Sequence, residues 1–556
     1  MRKKIQVVIK EINTTTIDYI ERKTSISDLV KRIQIPPKKI IAAYLNNNLV
    51  DLSANINHNS EIFLIRTDSS QGLSIYRDTA AHILALAVKK IFGRDILNIG
   101  PSIRYNYYFD LDIKVKINKR LLSQIENVMR SIIVKDLPIE KKIVPAKTGI
   151  SFYRSKKEFD KADLIATSEM EYVKFYSIQN FQELCPGPVA PSTGFITQFK
   201  LISYPPGFLL LFPKLIKGKL LIKPDKTPKQ LSKVFLETRN WYQDLGVSSV
   251  SHLNKVIMNK ELGELITISE ALHSKRIAQI ADTITKKRNE VKLVLIAGPS
   301  ASGKTTFLKR LYINLRVNGI KPVSISLDNY FLDRKYTPRD KDGHYNFECL
   351  EALDLELLNK HLCELMKGKT IFRPKFDFKQ GSRKKEKVPL KLIKDQILII
   401  EGIHGLNEKL TRGIPRKNKF KIYVSALSTL RLSDSHRITT TDTRLLRRII
   451  RDAQYRGYSA VSTLKNWPKV HDGEERYIFP FQEMADIMFN SALVYEISVI
   501  KSMAQKLLLK VSYKEKEYSE ARRLLDLLEF FRSAPGRDVP KTSILREFLG
   551  GSSFNY

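Results

Sequence analysis

Residues 291–305 read Val-Lys-Leu-Val-Leu-Ile-Ala-Gly-Pro-Ser-Ala-Ser-Gly-Lys-Thr. The first seven form a β-rich apolar run, as expected of a parallel strand buried on both faces. The next eight fit the pattern G-x-x-x-x-G-K-[ST]. Residues 306–317 continue as an amphipathic helical pattern, which Asn318-Gly319 can close. Strand, glycine loop and helix in that order make the string a phosphate-binding loop. Gly298, Pro299, Ser300, Ala301, Ser302, Gly303, Lys304, Thr305 and Thr306 are the expected ATP-binding residues. Gly303 lets the backbone approach a phosphate without a Cβ in the way. The loop N–H groups and the helix N-terminus stabilise the anion. Lys304 is expected to reach the β- and γ-phosphates, and Thr305 to offer a hydroxyl to Mg²⁺.

Two further apolar strands are expected downstream. Val323-Ser-Ile-Ser-Leu327 ends at Asp328, and Gln396-Ile-Leu-Ile-Ile400 ends at Glu401. In open α/β sheets the reactive groups gather at the carboxyl ends of strands. Both carboxylates are therefore candidates for chemistry and for Mg²⁺. An arginine cluster follows: Arg444, Arg447, Arg448, Arg451 and Arg456. Spacings of three and four place the first four on one side of a helix. In a phosphoryl-transfer enzyme such a face is expected to act as a lid that neutralises the transferring group.

These features extend into an ordered set: Asp328-Asn-Tyr-Phe331, Tyr345-Asn-Phe-Glu348 with Ala352-Leu-Asp354, Pro374-Lys-Phe-Asp-Phe378 with Ser382-Arg383, Glu401-Gly402, and Asp442–Asp452 with Arg456-Gly457 and Ala485-Asp486. Residues 290–490 thereby resemble the uridine kinase and phosphoribulokinase family. The resemblance implies Asp328 as the base for a sugar 5′-hydroxyl, with Lys304 and Arg451 as the other catalytic groups. It implies Phe331, Phe347, Glu348, Phe376, Phe378 and Arg448 around the acceptor, and Arg451 and Arg456 facing the phosphates. Mg²⁺ would be held by Thr305, Glu401 and Asp328. The chain departs from the family at three acceptor positions: Glu348 replaces an Asp, Gly381 a base-reading His, and Tyr458 an Arg. Trp467 falls close to where a further pocket residue would lie. A pocket that reads a base through hydrogen bonds discriminates through those bonds. The departures therefore bear on the acceptor more than on the phosphoryl chemistry.

The N-terminal third has a different pattern. Strands are expected at 5–10, 15–20, 40–45, 49–52 and 61–65. A short helix is expected at 27–33, capped by Ser25 or Ser27, with Asn46–Asn48 as a turn. The run Ala43-Tyr-Leu-Asn-Asn-Asn-Leu-Val-Asp-Leu52 resembles the TGS domain, a β-grasp module of threonyl-tRNA synthetases. A long helix is expected at 76–92 with Gly93 as cap. Ile99-Gly-Pro-Ser-Ile-Arg-Tyr-Asn-Tyr-Tyr-Phe-Asp110 and Glu183-Leu-Cys-Pro-Gly-Pro-Val-Ala-Pro-Ser-Thr-Gly-Phe-Ile196 resemble the second additional domain of threonyl-tRNA synthetase, which is related to editing domains. Such domains use an HxxxH pair and a CxxxH pair. Here those pairs read Asp78-x-x-x-His82 and Cys185-x-x-x-Val189. A zinc site normally needs three protein ligands, so His82 and Cys185 alone read as structural, in a domain that kept its fold and lost hydrolysis.

The 556 residues carry 95 Lys and Arg against 58 Asp and Glu, a formal charge of +37. No long basic tail concentrates it, so a basic solvated face is the plain reading and affinity for polyanions the sharper one. Three cysteines without a CxxC pair imply a reducing compartment. No signal-peptide or membrane-spanning pattern stands out, so a cytoplasmic location is expected.

The expected fold is α/β and multidomain. Its parts are a β-grasp unit (1–66), an α+β editing-like unit (67–240), a helical connection (241–285), a parallel-sheet kinase unit (286–500) and a helical extension (501–556). The expected activity is transfer of the ATP γ-phosphate to a nucleoside 5′-hydroxyl, uridine or cytidine by default. The alternatives are another sugar-type acceptor, or an ATP-switched RNA-binding regulator. RNA or tRNA contact through the N-terminal half and homo-oligomer formation are compatible with the sequence.

Overall fold

The computed structural model describes residues 4–555, apart from 11–13, 37, 104, 114, 217–218, 223–227, 341–342, 378–379 and 434–435. Strand Lys4–Lys10 pairs antiparallel with Thr15–Glu21 and parallel with Ser60–Arg66. Ile40–Leu45 and Asn48–Val50 complete that five-stranded sheet. Ile5, Val7 and Ile9 alternate into its core, as the two-residue period of a half-buried strand requires. Helix Ile26–Arg32 lays Ile26 and Leu29 on the same core, and Ser25 caps it by accepting from the Asp28 N–H at 3.1 Å. Asn46 and Asn47 turn the chain with φ of 51° and 62°, conformations Asn tolerates better than most residues.

A long helix, Ser70–Phe92, follows. It begins six residues before the expected start, because Ser69 caps it by accepting from the Gly72 N–H. Gly93 ends it in the left-handed region. The helix packs against an antiparallel sheet in the order Lys200–Tyr204, Gly207–Leu211, Asn106–Leu111, Leu97–Ile103. A second small sheet is formed by Glu140–Pro145, Tyr172–Ile178 and Phe181–Leu184.

The C-terminal half is built on five parallel strands in the order Lys321–Ser326, Gln396–Glu401, Leu293–Ala297, Lys419–Ser425, Ile487–Asn490. Leu293–Ala297 lies in the middle and is buried on both faces. Helix Lys304–Val317 covers one face together with Leu262–Lys286, whose Glu270 meets both Arg310 and the Tyr495 hydroxyl. One apolar cluster runs through both halves. It joins Tyr153, Phe175 and Leu184 to Leu445, Ile449 and Trp467, and to Leu524, Leu528 and Phe548 near the C-terminus. Among the described residues no helix is long and apolar enough to cross a membrane.

Candidate active site at the carboxyl edge of the parallel sheet

The glycine loop leaves the middle strand under tight steric control. A Cβ on Gly298 would lie 2.0 Å from the Val424 carbonyl oxygen, so only glycine fits against the neighbouring strand. Gly303 has φ of +82° and caps helix Lys304–Val317. Ala301 also adopts a left-handed conformation, φ 57°, which is unfavourable for a residue with a Cβ and is held by the surrounding contacts.

Those contacts come from the arginine helix Thr440–Arg451. Arg444 Nε donates to the Ser300 carbonyl at 2.9 Å, and its guanidinium pairs with Glu474. Glu474 in turn accepts from the Ser300 N–H at 3.0 Å. Burial pushes the Glu474 carboxyl up, but Arg444, His471 and the Ser300 N–H outweigh it and hold the group down at about 2. Arg447 pairs with Glu496 and donates to the Ser491 carbonyl at 2.9 Å. The Ser491 hydroxyl donates to the Ser302 carbonyl at 2.5 Å. Arg444 and Arg447 are fully buried. The expected lid of four guanidiniums is therefore corrected. Two of the four are internal struts that set the loop's conformation, because each has a buried carboxylate partner on another element.

The other arginines gather around a single carboxylate. Asp452, itself buried, accepts from Arg448 Nε at 3.2 Å and from Arg451 Nη2 at 2.9 Å, with Arg456 Nη1 at 3.6 Å. Arg448 also donates to the Ser300 hydroxyl at 2.8 Å. The chain leaves the helix through a short π-turn, Asp452–Arg456, which Gly457 closes with φ of +69°.

Across the cleft, Asp328 sits on a 3₁₀ turn just after strand Lys321–Ser326. Its side chain is open to solvent. Lys304, Arg456 and Arg451 lie close enough to act on its charge, each favouring the ionised carboxylate. Glu401 ends the adjacent strand, and burial pushes it up to about 7 despite Lys304 and a hydrogen bond from Thr305. Two carboxylates and a hydroxyl, with Thr305 bonded to Glu401, form a hard oxygen donor set. These residues fit Mg²⁺. Lys304 is buried and donates to the Pro299 carbonyl at 3.0 Å, and burial lowers its ammonium.

The expected acceptor residues flank this cleft. The Phe331 ring lies 5.9 Å from Phe376 and 6.4 Å from Phe347 between centroids. Burial raises Glu348 to about 7, in the field of Arg448 and Glu474. The Arg448 guanidinium lies 6.0 Å from the Trp467 ring. Phe378 falls outside the described residues. Gly381 has φ of +69°, and a Cβ there would meet Arg334 Nε at 2.7 Å. The Arg334 side chain thus packs directly against Gly381.

One participant had no sequence signal. Glu547, in the last short helix, accepts from the Thr306 hydroxyl at 2.8 Å and from its N–H at 3.4 Å. Ile544 packs so close to the loop that a Cβ on Gly303 would touch it at 2.5 Å. The terminal segment therefore packs against the glycine loop and the first turn of its helix.

Residues 293–498 match the Phosphoribulokinase / Uridine kinase family. The threonine–tRNA ligase of Carboxydothermus hydrogenoformans is 35% identical over 167 residues, which is 30% of this chain and 26% of that protein. That of Francisella tularensis subsp. novicida is 35% identical over 164 residues, again 30% and 26%. The chain spans about a quarter of the length of these curated relatives. Among solved structures, a possible uridine kinase from Bacillus stearothermophilus aligns with 20% identity and a TM-score of 0.26, covering 38% of this chain and 97% of its own. The chain thus carries, at residues 293–498, a P-loop kinase domain of the phosphoribulokinase and uridine kinase family, behind an N-terminal region similar to threonine–tRNA ligases.

Proposed function

We propose that the protein transfers the γ-phosphate of ATP to the 5′-hydroxyl of a nucleoside, with uridine or cytidine the default acceptor. The observation that carries this reading is the convergence of Asp328, Lys304 and the Asp452-bound guanidiniums on one cleft at the carboxyl edge of the sheet. The loop N–H groups and the helix N-terminus bind the triphosphate. Asp328 accepts the proton of the acceptor hydroxyl as the general base, beside Lys304, Arg451 and Arg456. Lys304, Arg451 and Arg456 stabilise charge on the transferring group. Thr305, Glu401 and Asp328 would hold Mg²⁺, which when bound would supply charge neutralisation of the phosphate oxygens. Phe331, Phe347 and Phe376 form an apolar wall for the acceptor.

The test is ATP-Mg²⁺ with the purified full chain and a panel of nucleosides, sugars and sugar phosphates. Transfer to a nucleoside, lost in Asp328→Asn with ATP binding retained, supports the reading; no transfer to any acceptor rejects it. A second acceptor class is favoured by one contact. Arg334 lies against Gly381, which the resemblance aligns with a base-reading His, and a guanidinium there would suit a carbonyl-rich or anionic acceptor. Preference for sugar phosphates in the same panel, lost in Arg334→Ala, would establish that alternative. For the N-terminal region, similarity to threonine–tRNA ligases and the +37 charge support tRNA contact. Salt-dependent binding of labelled tRNA to the full chain tests it, and absence of binding at low salt removes it.

A further inference from the structure

Away from the kinase cleft, three side chains with metal-ligating atoms lie together. One ligand atom each of His82, Cys185 and His436 falls within 4.8 Å of the others. His82 comes from helix Ser70–Phe92 and Cys185 follows strand Phe181–Leu184. His436 lies far along the chain, between strand Lys419–Ser425 and the arginine helix. Two of the three were legible as the residue of an altered editing motif. The third came from the other half of the protein and had no motif to announce it.

The hydrogen bonding of His82 singles this cluster out from ordinary core packing. Nδ1 faces the Asp78 carbonyl at 3.3 Å, so it carries the proton and Nε2 the lone pair. That Nε2 is buried without a hydrogen-bond partner among the described residues. An orphaned buried acceptor is costly and calls for a reason. Metal-bound histidines show the same arrangement, one ring nitrogen donating to a carbonyl and the other facing the ion. The His436 ring stands edge-on to His82 at 5.1 Å between centroids.

We propose that His82, Cys185 and His436 bind a Zn²⁺-class divalent cation that joins the synthetase-like half to the kinase half. Two imidazoles and one thiolate suit zinc and leave a fourth tetrahedral position for water. As the sulfur–metal bond forms, the Cys185 S–H bond breaks and its proton leaves to solvent, so the site gains one anionic ligand for the cation. The thiol gives up its 3.2 Å contact with the Gly187 carbonyl. The segment bearing His436 is already anchored to the other half, through Arg431 to Asn98 and Arg437 to Ser102. It leads straight into Thr440–Arg451, whose Arg444 and Arg447 hold the glycine loop. A cation here therefore fixes the entry of the helix that shapes the nucleotide site.

The experiment measures metal content of the full-length protein by mass spectrometry, then follows Co²⁺ binding to chelator-treated protein by absorption. About one zinc per chain, or a Co²⁺ complex with a thiolate charge-transfer band and tetrahedral d–d bands, is the expected result. Cys185→Ser should abolish the charge-transfer band. His436→Ala, at a half-buried position, should weaken Co²⁺ binding by roughly 100-fold or more while leaving the protein folded by circular dichroism. His58→Ala, an exposed histidine elsewhere, should bind Co²⁺ as the parent does. Absence of zinc together with a featureless Co²⁺ titration overturns the proposal. So does a charge-transfer band that survives Cys185→Ser. Unchanged affinity in His436→Ala overturns the link between the halves.

Discussion

The Thr306 hydroxyl donates a 2.8 Å hydrogen bond to the Glu547 carboxylate. The two residues are 241 positions apart. The contact sits on the first turn of the helix whose N-terminus is the expected phosphate cradle, and Thr306 itself is fully buried. A side-chain carboxylate thus competes for an N–H and a hydroxyl that suit a nucleotide oxygen. Glu547→Gln keeps the shape and removes the negative charge, so ATP should bind about two- to tenfold more tightly. Calorimetric titration measures this. Weaker or unchanged affinity would show that the carboxylate is not in the nucleotide's way.

The Arg444–Glu474 pair should be among the most sensitive in the domain. Both groups are buried, and together they clasp the Ser300 peptide at its carbonyl and its N–H. Glu474→Ala leaves a buried guanidinium uncompensated, at a cost of about 3–5 kcal/mol. The double change Arg444→Met with Glu474→Leu should recover much of that stability, because it removes both charges. It should not recover nucleotide binding, since the loop loses its clasp. Urea unfolding separates the two. A double variant as unstable as the single one would contradict this account.

The limits of what the sequence revealed follow from distance along the chain. The glycine loop, Asp328 and Glu401 were legible because each signal is local: a strand pattern followed by a particular residue. The arginine helix was only half legible. Spacing places Arg444, Arg447, Arg448 and Arg451 on neighbouring positions, but their fates depend on Glu474, Glu496 and Asp452, and only Asp452 lies nearby. The two arginines with distant partners became struts, and the two next to Asp452 stayed at the cleft. Glu547 and His436 were invisible for the same reason. Nothing in a four-residue terminal helix, or in a lone histidine, says what it will touch. The long helix started early because Ser69 is a cap that the apolar pattern alone does not mark.

Stability in the absence of ligands should fall as pH rises through mild acidity. Burial raises Glu401 from 4.5 to about 7, and Glu348 likewise. Between those pH values the unfolded chain has released these protons while the folded chain still holds them, so rising pH favours unfolding. Above about 7 both states are ionised and this contribution levels off. Glu401→Gln should flatten the slope and raise the melting temperature near neutrality, by a stabilisation of order 1 kcal/mol after allowing for partial solvent access. Melting temperatures of parent and variant across pH 4.5 to 7 decide it. An identical slope in the variant would mean that Glu401 ionises normally.

Asp452 should matter for turnover more than its distance from the acceptor implies. It is 2% exposed and accepts from Arg448 and Arg451, with Arg456 at 3.6 Å. Asp452→Asn preserves the volume and removes the charge that draws three mutually repelling guanidiniums together. They should then spread, leaving Arg451 and Arg456 out of place for the transferring phosphoryl group. A misplacement of about 1 Å can cost roughly 100-fold in rate, so kcat should fall by that order, while the affinity for ATP, set mainly by the glycine loop, should change by less than about threefold. Stopped-flow turnover and equilibrium ATP binding measured on one preparation separate positioning from binding. Equal losses in both would place the role of Asp452 in the fold of the loop, since Arg448 also reaches the Ser300 hydroxyl.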